Sequence, residues 1–227
     1  MATYIKIISY ISHHATSLQL NKRKRLFWCR EQLRLGETFD DVIFTDESSI
    51  QLDHHSRVCF RKKLQPRALK QRAKHPVKIH VWGGISKKGA TRIVMFTGNM
   101  NAQRFKRILE VGLIPFINEL FPMGHRLFQD NDPKHNSEYI SDFFEEQGVD
   151  WWATPPESPD LNPIENIWGS LKQYLRTTYK PRNLDELKRG IQQFWMTLTP
   201  EVCRQYIGHI HKVIPKVVEV YGEPSGY

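Results

Sequence analysis

"DVIFTDESS", residues 41 to 49, reads as a β-strand: a short apolar run rich in β-favouring residues that stops at acids and hydroxyls. It delivers Asp46 to the C-terminal edge of that strand. In mixed α/β sheets the chemistry gathers at strand ends, so this stretch bears on both the fold and the site. Downstream, "VKIHVWGGIS" (77–86) and "TRIVMFTGN" (91–99) form a hairpin around "KKGA" (87–90). Three strands in succession predict an antiparallel start to the sheet.

The chain then alternates. Asn101 is placed to cap the helical stretch "AQRFKRILEVGLIPFINELF" (102–121), which Pro115 kinks or restarts. "HRLFQDND" (125–132) reads as a fourth strand, "SEYISDFFEEQG" (137–148) as a helix ended by Gly148, and "VDWWAT" (149–154) as a fifth strand. From Asn162 onward the pattern is helical: "PIENIWGSLKQYLRTT" (163–178), "NLDELKRGIQQFWMTL" (183–198) and "PEVCRQYIGHIHKVIPKVVEVY" (200–221). The expected class is α/β, a mixed sheet of three antiparallel strands, then helix-strand-helix-strand, then C-terminal helices.

Residues 1–40 read as an N-terminal appendage: an apolar start, a link rich in His, Thr and Ser, and a linker helix "LNKRKRLFWCREQLRLG" closed by Gly36. Residues 41–215 form the predicted core domain and 216–227 a tail. No apolar run is long enough to cross a bilayer, so no membrane role is expected. The three cysteines, Cys29, Cys59 and Cys203, stand far apart and suggest neither a disulfide framework nor a zinc site. "HHS" at His54 is too little for zinc. Lys22 to Arg25 reads either as a nuclear-import signal or as a solvated basic face.

The net charge of +9 is unevenly spread, for His54 to Leu109 hold fifteen Lys or Arg residues and no Asp or Glu. A long one-signed surface points to a polyanionic partner, and nucleic acid is the expectation. Within it, Pro66 and Pro76 argue against sheet interior, so residues 57–78 are predicted as a protruding basic loop. Its candidate DNA contacts are Arg61, Lys62, Lys63, Arg67, Lys70, Arg72 and Lys74.

Acids end two strands: Asp46 after the first, Asp130 after the fourth. Alternation puts Asp130 and Asp132 on one side and Asn131 on the other, which leaves either aspartate open. "SPDLNPIENIW" (158–168) supplies the third acid. Here Asn162, Pro163 and Glu165 read as N-cap, first helical residue and capping-box partner, while Glu165 equally reads as a metal ligand. On a helical wheel Glu165 lies roughly 120° from the apolar stripe that includes Trp168, and shares its face with Gly169, Lys172 and Arg176. Lys172 and Arg176 are therefore also candidate phosphate contacts. Three converging carboxylates stay ionised together only beside cations, and hard oxygen donors suit Mg²⁺ or Mn²⁺. Asn131 and Asn162 are candidates to orient such ligands, His135 is expected to make a structural hydrogen bond near the site, and Trp151, Trp152, Trp168 and Trp195 are expected in the core.

"FTDES", "FQDNDPKH" and "SPDLNPIENIW" resemble the three catalytic blocks of the Tc/mariner superfamily of DDE transposases over roughly residues 20 to 215. The 34 residues between Asp130 and Glu165 match the Tc branch and select Asp130 over Asp132. The resemblance implies an RNase H-like core with catalytic and metal-binding Asp46, Asp130 and Glu165, using Mg²⁺ with Mn²⁺ as a substitute. It implies hydrolysis at transposon ends, then attack by the freed 3′-hydroxyl on target DNA, commonly at TA, without a covalent protein–DNA intermediate. The loop at 57–78 resembles the family's clamp, which implies a homodimer on DNA in the nucleus. The family's paired helix-turn-helix units find too little sequence ahead of Asp46. A DNA-binding module without transposition activity and an RNase H-like nuclease on another nucleic acid are the competing expectations.

Overall fold

The computed structural model describes residues 2–52, 77–132, 135 and 137–227. The basic loop predicted at 57–78, and with it Arg61, Lys62, Lys63, Arg67, Lys70, Arg72 and Lys74, falls outside the described residues but for its last two positions.

A helix, α1 (Ala2–Leu35), opens the chain and ends where expected. Gly36 adopts φ 61°, and the Glu37 amide returns to the Gln32 carbonyl at 3.1 Å, which satisfies carbonyls at the helix end. The predicted link is not a loop, since the helix runs through it without a break. β1 (Val42–Gln51) pairs antiparallel with β2 (Lys78–Ser86), and a two-residue turn at Lys87 and Lys88 leads into β3 (Gly89–Ala90) and β4 (Val94–Phe96), both on β2. The third strand expected from sequence is thus in two pieces. Ile85 faces Ala90, yet Trp82 faces Val94, so the register slips by one residue between them, as at a β-bulge.

After α2 (Ala102–Gly112) and α3 (Ile114–Leu120), β5 (Arg126–Phe128) lies parallel to β1. Pro115 sits in the first turn of α3, and so restarts the helix. α4 (Glu138–Gln147) follows and ends at Gly148 with φ 62°. β6 (Trp151–Trp152) is parallel to β5, giving the order β3-β2-β1-β5-β6. A 3₁₀ turn at Pro159–Leu161 leads into α5 (Ile164–Tyr174), a π-helical turn (Leu175–Tyr179), α6 (Leu184–Trp195), α7 (Pro200–Gly208) and α8 (Ile210–Glu219). The last predicted helix is therefore two, divided at His209.

Strand alternation builds two cores. Val42 and Phe44 with Phe128 face α1, α5, α6, α7 and α8, whereas Ile43 and Leu127 face α2, α3 and α4. The appendage is no appendage at its C-terminal end: Trp28 and Cys29 belong to the first core. Likewise α8 crosses the boundary expected at 215, and the residues after it are tied down. Arg25 is 4% exposed and makes two hydrogen bonds to Asp160, at 2.8 and 2.9 Å, and one to the Gly222 carbonyl at 3.0 Å. Asp160 also accepts from the Ser225 amide at 2.9 Å. Arg25 is thus unavailable to an import signal. Among the described residues no helix is long and apolar enough to cross a membrane.

Burial opposes ionisation of Asp160, but the Arg25 guanidinium and the Ser225 amide outweigh it and hold the carboxyl below its ordinary value. A group so depressed contributes stability above its unfolded pKa and loses it as pH falls through the lower folded value. Arg25→Ala leaves Asp160 charged, enclosed and unpaired. It is expected to cost about 3 kcal/mol at pH 7 in denaturant unfolding, with the loss shrinking at acid pH.

Candidate active site

The parallel register of β1 and β5 brings the first two acids together. Phe44 lies opposite Phe128, and two residues further on each strand line stand Asp46 and Asp130, on the face toward α5. Adjacent strands are about 4.8 Å apart, so these carboxylates emerge side by side. Thr45 Oγ1 donates to the Phe128 carbonyl at 3.3 Å just behind them.

Glu165 comes from the first turn of α5. It is not a cap. The Asn162 amide already donates to the Pro159 carbonyl at 3.0 Å, leaving no donor for Glu165 to satisfy, and no side chain caps α5. Asn162, expected at the N-cap, instead sends its side-chain amide to the Thr45 carbonyl at 3.1 Å, joining the helix that carries Glu165 to the strand that carries Asp46. Its Oδ1 is buried and has no partner. Asp46, Asp130, Glu165 and Asn162 all line one pocket of about 390 Å³, whose wall runs from Thr154 to Pro159. Asn131 lines it too and is fixed by a bond to the Thr154 carbonyl at 2.9 Å.

Each aspartate has a dedicated partner. Trp168 Nε1 donates to Asp46 Oδ2 at 3.0 Å. His135, 3% exposed and stacked on Phe105, bridges Asp130 Oδ1 at 2.6 Å and Glu47 Oε1 at 3.0 Å. The structural bond expected of His135 is present, and Glu47 is its unforeseen second partner. Glu47 was hidden by alternation: next to Asp46, it points through the sheet toward the α2 side, where only tertiary contacts reveal its role. Asp132 also lines the pocket, with its amide donating to Asp130 Oδ1 at 3.3 Å.

Electrostatics follow from this geometry. Burial, then the charges of Glu165, Glu47 and Asp130, push Asp46 up to about 8, against the Glu47 amide. Among the described residues, every one of these charges acting on it is negative. Burial likewise raises Glu165, opposed by Lys172 and aided by Asp130. For His135, burial disfavours the proton, but the two carboxylates prevail and lift it to about 9. Asp130 is correspondingly lowered: burial would raise it, and the imidazolium overrides that.

The donor set fits a hard divalent cation: oxygen ligands only, mutually repelling, in one pocket and without a positive group on Asp46. Among the described residues, no three His, Cys, Asp or Glu side chains are drawn close enough to hold one as they now stand. Asp130 engages Oδ1 with the chain, and Asp46 accepts at Oδ2 from Trp168. Alongside, a groove of about 440 Å³ runs between Ser49 to Gln51 and α5, lined by Gly169, Lys172 and Arg176, the two described members of the predicted phosphate contacts. Trp168 and Trp195 are in the core as expected, and Trp151 is at the surface, 37% exposed.

With the geometry in hand, comparison with known proteins is informative. Residues 41–188 match the family described as DDE superfamily endonuclease. Tc3 transposase of Caenorhabditis elegans is 26% identical over 211 residues, which cover 91% of this chain and 64% of the relative. The Mos1 mariner paired-end complex with Mn superposes with a TM-score of 0.77 at 16% identity, over 89% of this chain and 63% of that one. The structure of the Mos1 transposase catalytic domain and Raltegravir with Mg gives 0.68 at 16% identity, over 89% and 96%. The chain thus spans less than two thirds of these longer proteins and nearly all of the Mos1 catalytic domain. Its fold is RNase H-like, as the sequence resemblance implied.

Because Asp46 has a folded pKa far above its unfolded one, its ionisation opposes folding from the ordinary carboxylate range upward and has no effect below it. Asp46→Asn is expected to raise Tm at pH 7 without divalent cation, and the gain should vanish near pH 4. Equal Tm values at both pH values would refute this electrostatic picture.

Proposed function

The chain belongs to the DDE superfamily of endonucleases, and from that premise we propose that it is the catalytic domain of a DNA transposase. It cuts at transposon ends and joins the freed 3′-hydroxyl to target DNA. The observation that carries this reading is the convergence of Asp46, Asp130 and Glu165, distant in sequence, on one pocket beside a basic groove.

Asp46, Asp130 and Glu165 would hold Mg²⁺, or Mn²⁺ in its place, through their carboxylate oxygens. When bound, such ions lower the pKa of an attacking oxygen and stabilise the leaving one in phosphoryl transfer. The chain's own residues do the rest. His135 keeps Asp130 ionised and oriented. Asn162 fixes the start of α5 against β1 and so sets the reach of Glu165. Lys172 and Arg176 lie about two and three turns beyond Glu165 and neutralise backbone phosphates leading away from the pocket. The reaction passes directly between oxygens on phosphorus, with no covalent protein–DNA intermediate.

Two copies acting on paired ends, with TA as the target dinucleotide and the nucleus as the site of action, complete the proposal. The paired-end assemblies of Mos1, similar in fold, support the first of these.

Cleavage and joining of DNA with pre-cut ends, in Mg²⁺ or Mn²⁺, tests the reading. Asp46→Asn, Asp130→Asn and Glu165→Gln are each expected to lower turnover on the order of 1,000-fold while remaining folded. If parent and variants behave alike, the domain is a DNA-binding module and the enzymatic proposal fails. Sequencing of joined products checks the TA preference. Separately, replacing both Lys172 and Arg176 by Gln should weaken DNA binding irrespective of sequence and flatten the dependence of log affinity on log salt by about 2.

A further inference from the structure

We propose that Trp168 is a positioning residue for Asp46, and that Gly83 is without a side chain because the bracket behind Asp46 occupies that space. This rests on the reading of Asp46 as a cation ligand. Trp168 follows Glu165 by three residues on α5, so one helix both supplies the third acid and orients the first. An indole N–H is a donor that never ionises near neutrality and never accepts. On Asp46 it donates to Oδ2, at 3.0 Å, on the wall of the pocket.

A core tryptophan needs only apolar neighbours, and Trp168, 1% exposed, has them. What packing alone does not explain is an N–H directed at a carboxylate that faces other carboxylates. The ring is held from behind. Trp195 stacks on it with centroids 5.3 Å apart and planes 21° from parallel, and Trp195 Nε1 donates to the Thr91 carbonyl at 2.7 Å. Thr91 belongs to the stretch where the sheet register slips, between β3 and β4. Gly83 is the residue opposite Asp46 in the β1–β2 ladder. A Cβ there would stand 2.6 Å from the Trp195 ring and 3.3 Å from Trp168, so any side chain displaces both. Slipped register, absent side chain and stacked indoles together fix one oxygen of one aspartate.

Partners of this kind behind a metal ligand typically alter affinity 10- to 100-fold. Trp168→Phe keeps a ring in the stack and removes the N–H. It is expected to lower Mn²⁺ affinity by about 10- to 100-fold in calorimetry without DNA, and to shift the Mn²⁺ dependence of cleavage equally. Gly83→Ala should do the same through the displaced rings. Unchanged Mn²⁺ binding in a folded Trp168→Phe would overturn the proposal. The bond itself is read independently by ¹⁵N-labelled tryptophan NMR in the metal-free protein. The indole signal missing in Trp168→Phe, or assigned from neighbouring rings should that variant not fold, is expected to move in Asp46→Ala and stay in Glu165→Gln. A Trp168 signal indifferent to Asp46→Ala refutes the positioning role even if the parent proves inactive, whereas a responsive signal in an inactive parent upholds the bond and condemns the transposase reading instead.

Discussion

The pairing of β1 with β5 is the constraint on which the rest depends. Because the strands are parallel and Phe44 is opposite Phe128, both acids stand at the same level along the strands and on the same face, Asp46 within β1 and Asp130 just past the end of β5. A slip of one residue would send Asp130 to the far side and bring Gln129 into its place. The register is held by apolar side chains on both faces, Phe44 and Phe128 on one, Ile43 and Leu127 on the other. The geometry of the proposed site is thus a consequence of core packing, and a two-sided core admits only one alignment.

That alignment creates an electrostatic problem which the surrounding residues meet in different ways. Asp130 is relieved by a proton held on His135, itself kept charged by a second carboxylate from the opposite face of the sheet. Asp46 receives only a neutral donor. Glu165, more exposed, has Lys172 within electrostatic reach. The acid left uncompensated is also the most buried of the three, so the pocket is most in need of external positive charge at Asp46. A site of this kind sacrifices stability for function, since an Asp driven to about 8 opposes the fold that holds it.

Much of this was legible in the residues, and the failures are instructive. Helices ending at Gly36 and Gly148 follow from local chemistry, and local chemistry prevailed, whereas β1 does not end at its acids but runs on to Gln51, because β2 pairs with it that far. Asn162 is the contrary case. Asn, Pro and Glu at cap spacing satisfy a local rule, yet a 3₁₀ turn ahead of them claims the amide the rule would use and a carbonyl 117 residues away claims the side chain. Glu47 was invisible for a related reason: a single strand shows which side a residue faces, not which histidine waits there. The packing of α1 was not legible because composition reports solvent-facing residues, and the few that bind α1 to the core, Arg25, Trp28 and Cys29, are scattered among them.

Residues 158 to 168 carry a disproportionate share of the tertiary bonds. Asp160 is gripped by α1 and by the C-terminal segment, Asn162 by β1, and Trp168 by the aspartate it orients. Glu165 sits among these three anchors and, among the described residues, has none of its own beyond its electrostatic neighbours. Its backbone is therefore placed from three directions while its carboxylate stays free to move. The two aspartates show the reverse arrangement, with each side chain held by hydrogen bonds. Within such a pocket the strand acids are preset and the helix acid is the adjustable member, so on the proposed reading a cation would be enclosed by rotation of Glu165 more than by movement of the sheet.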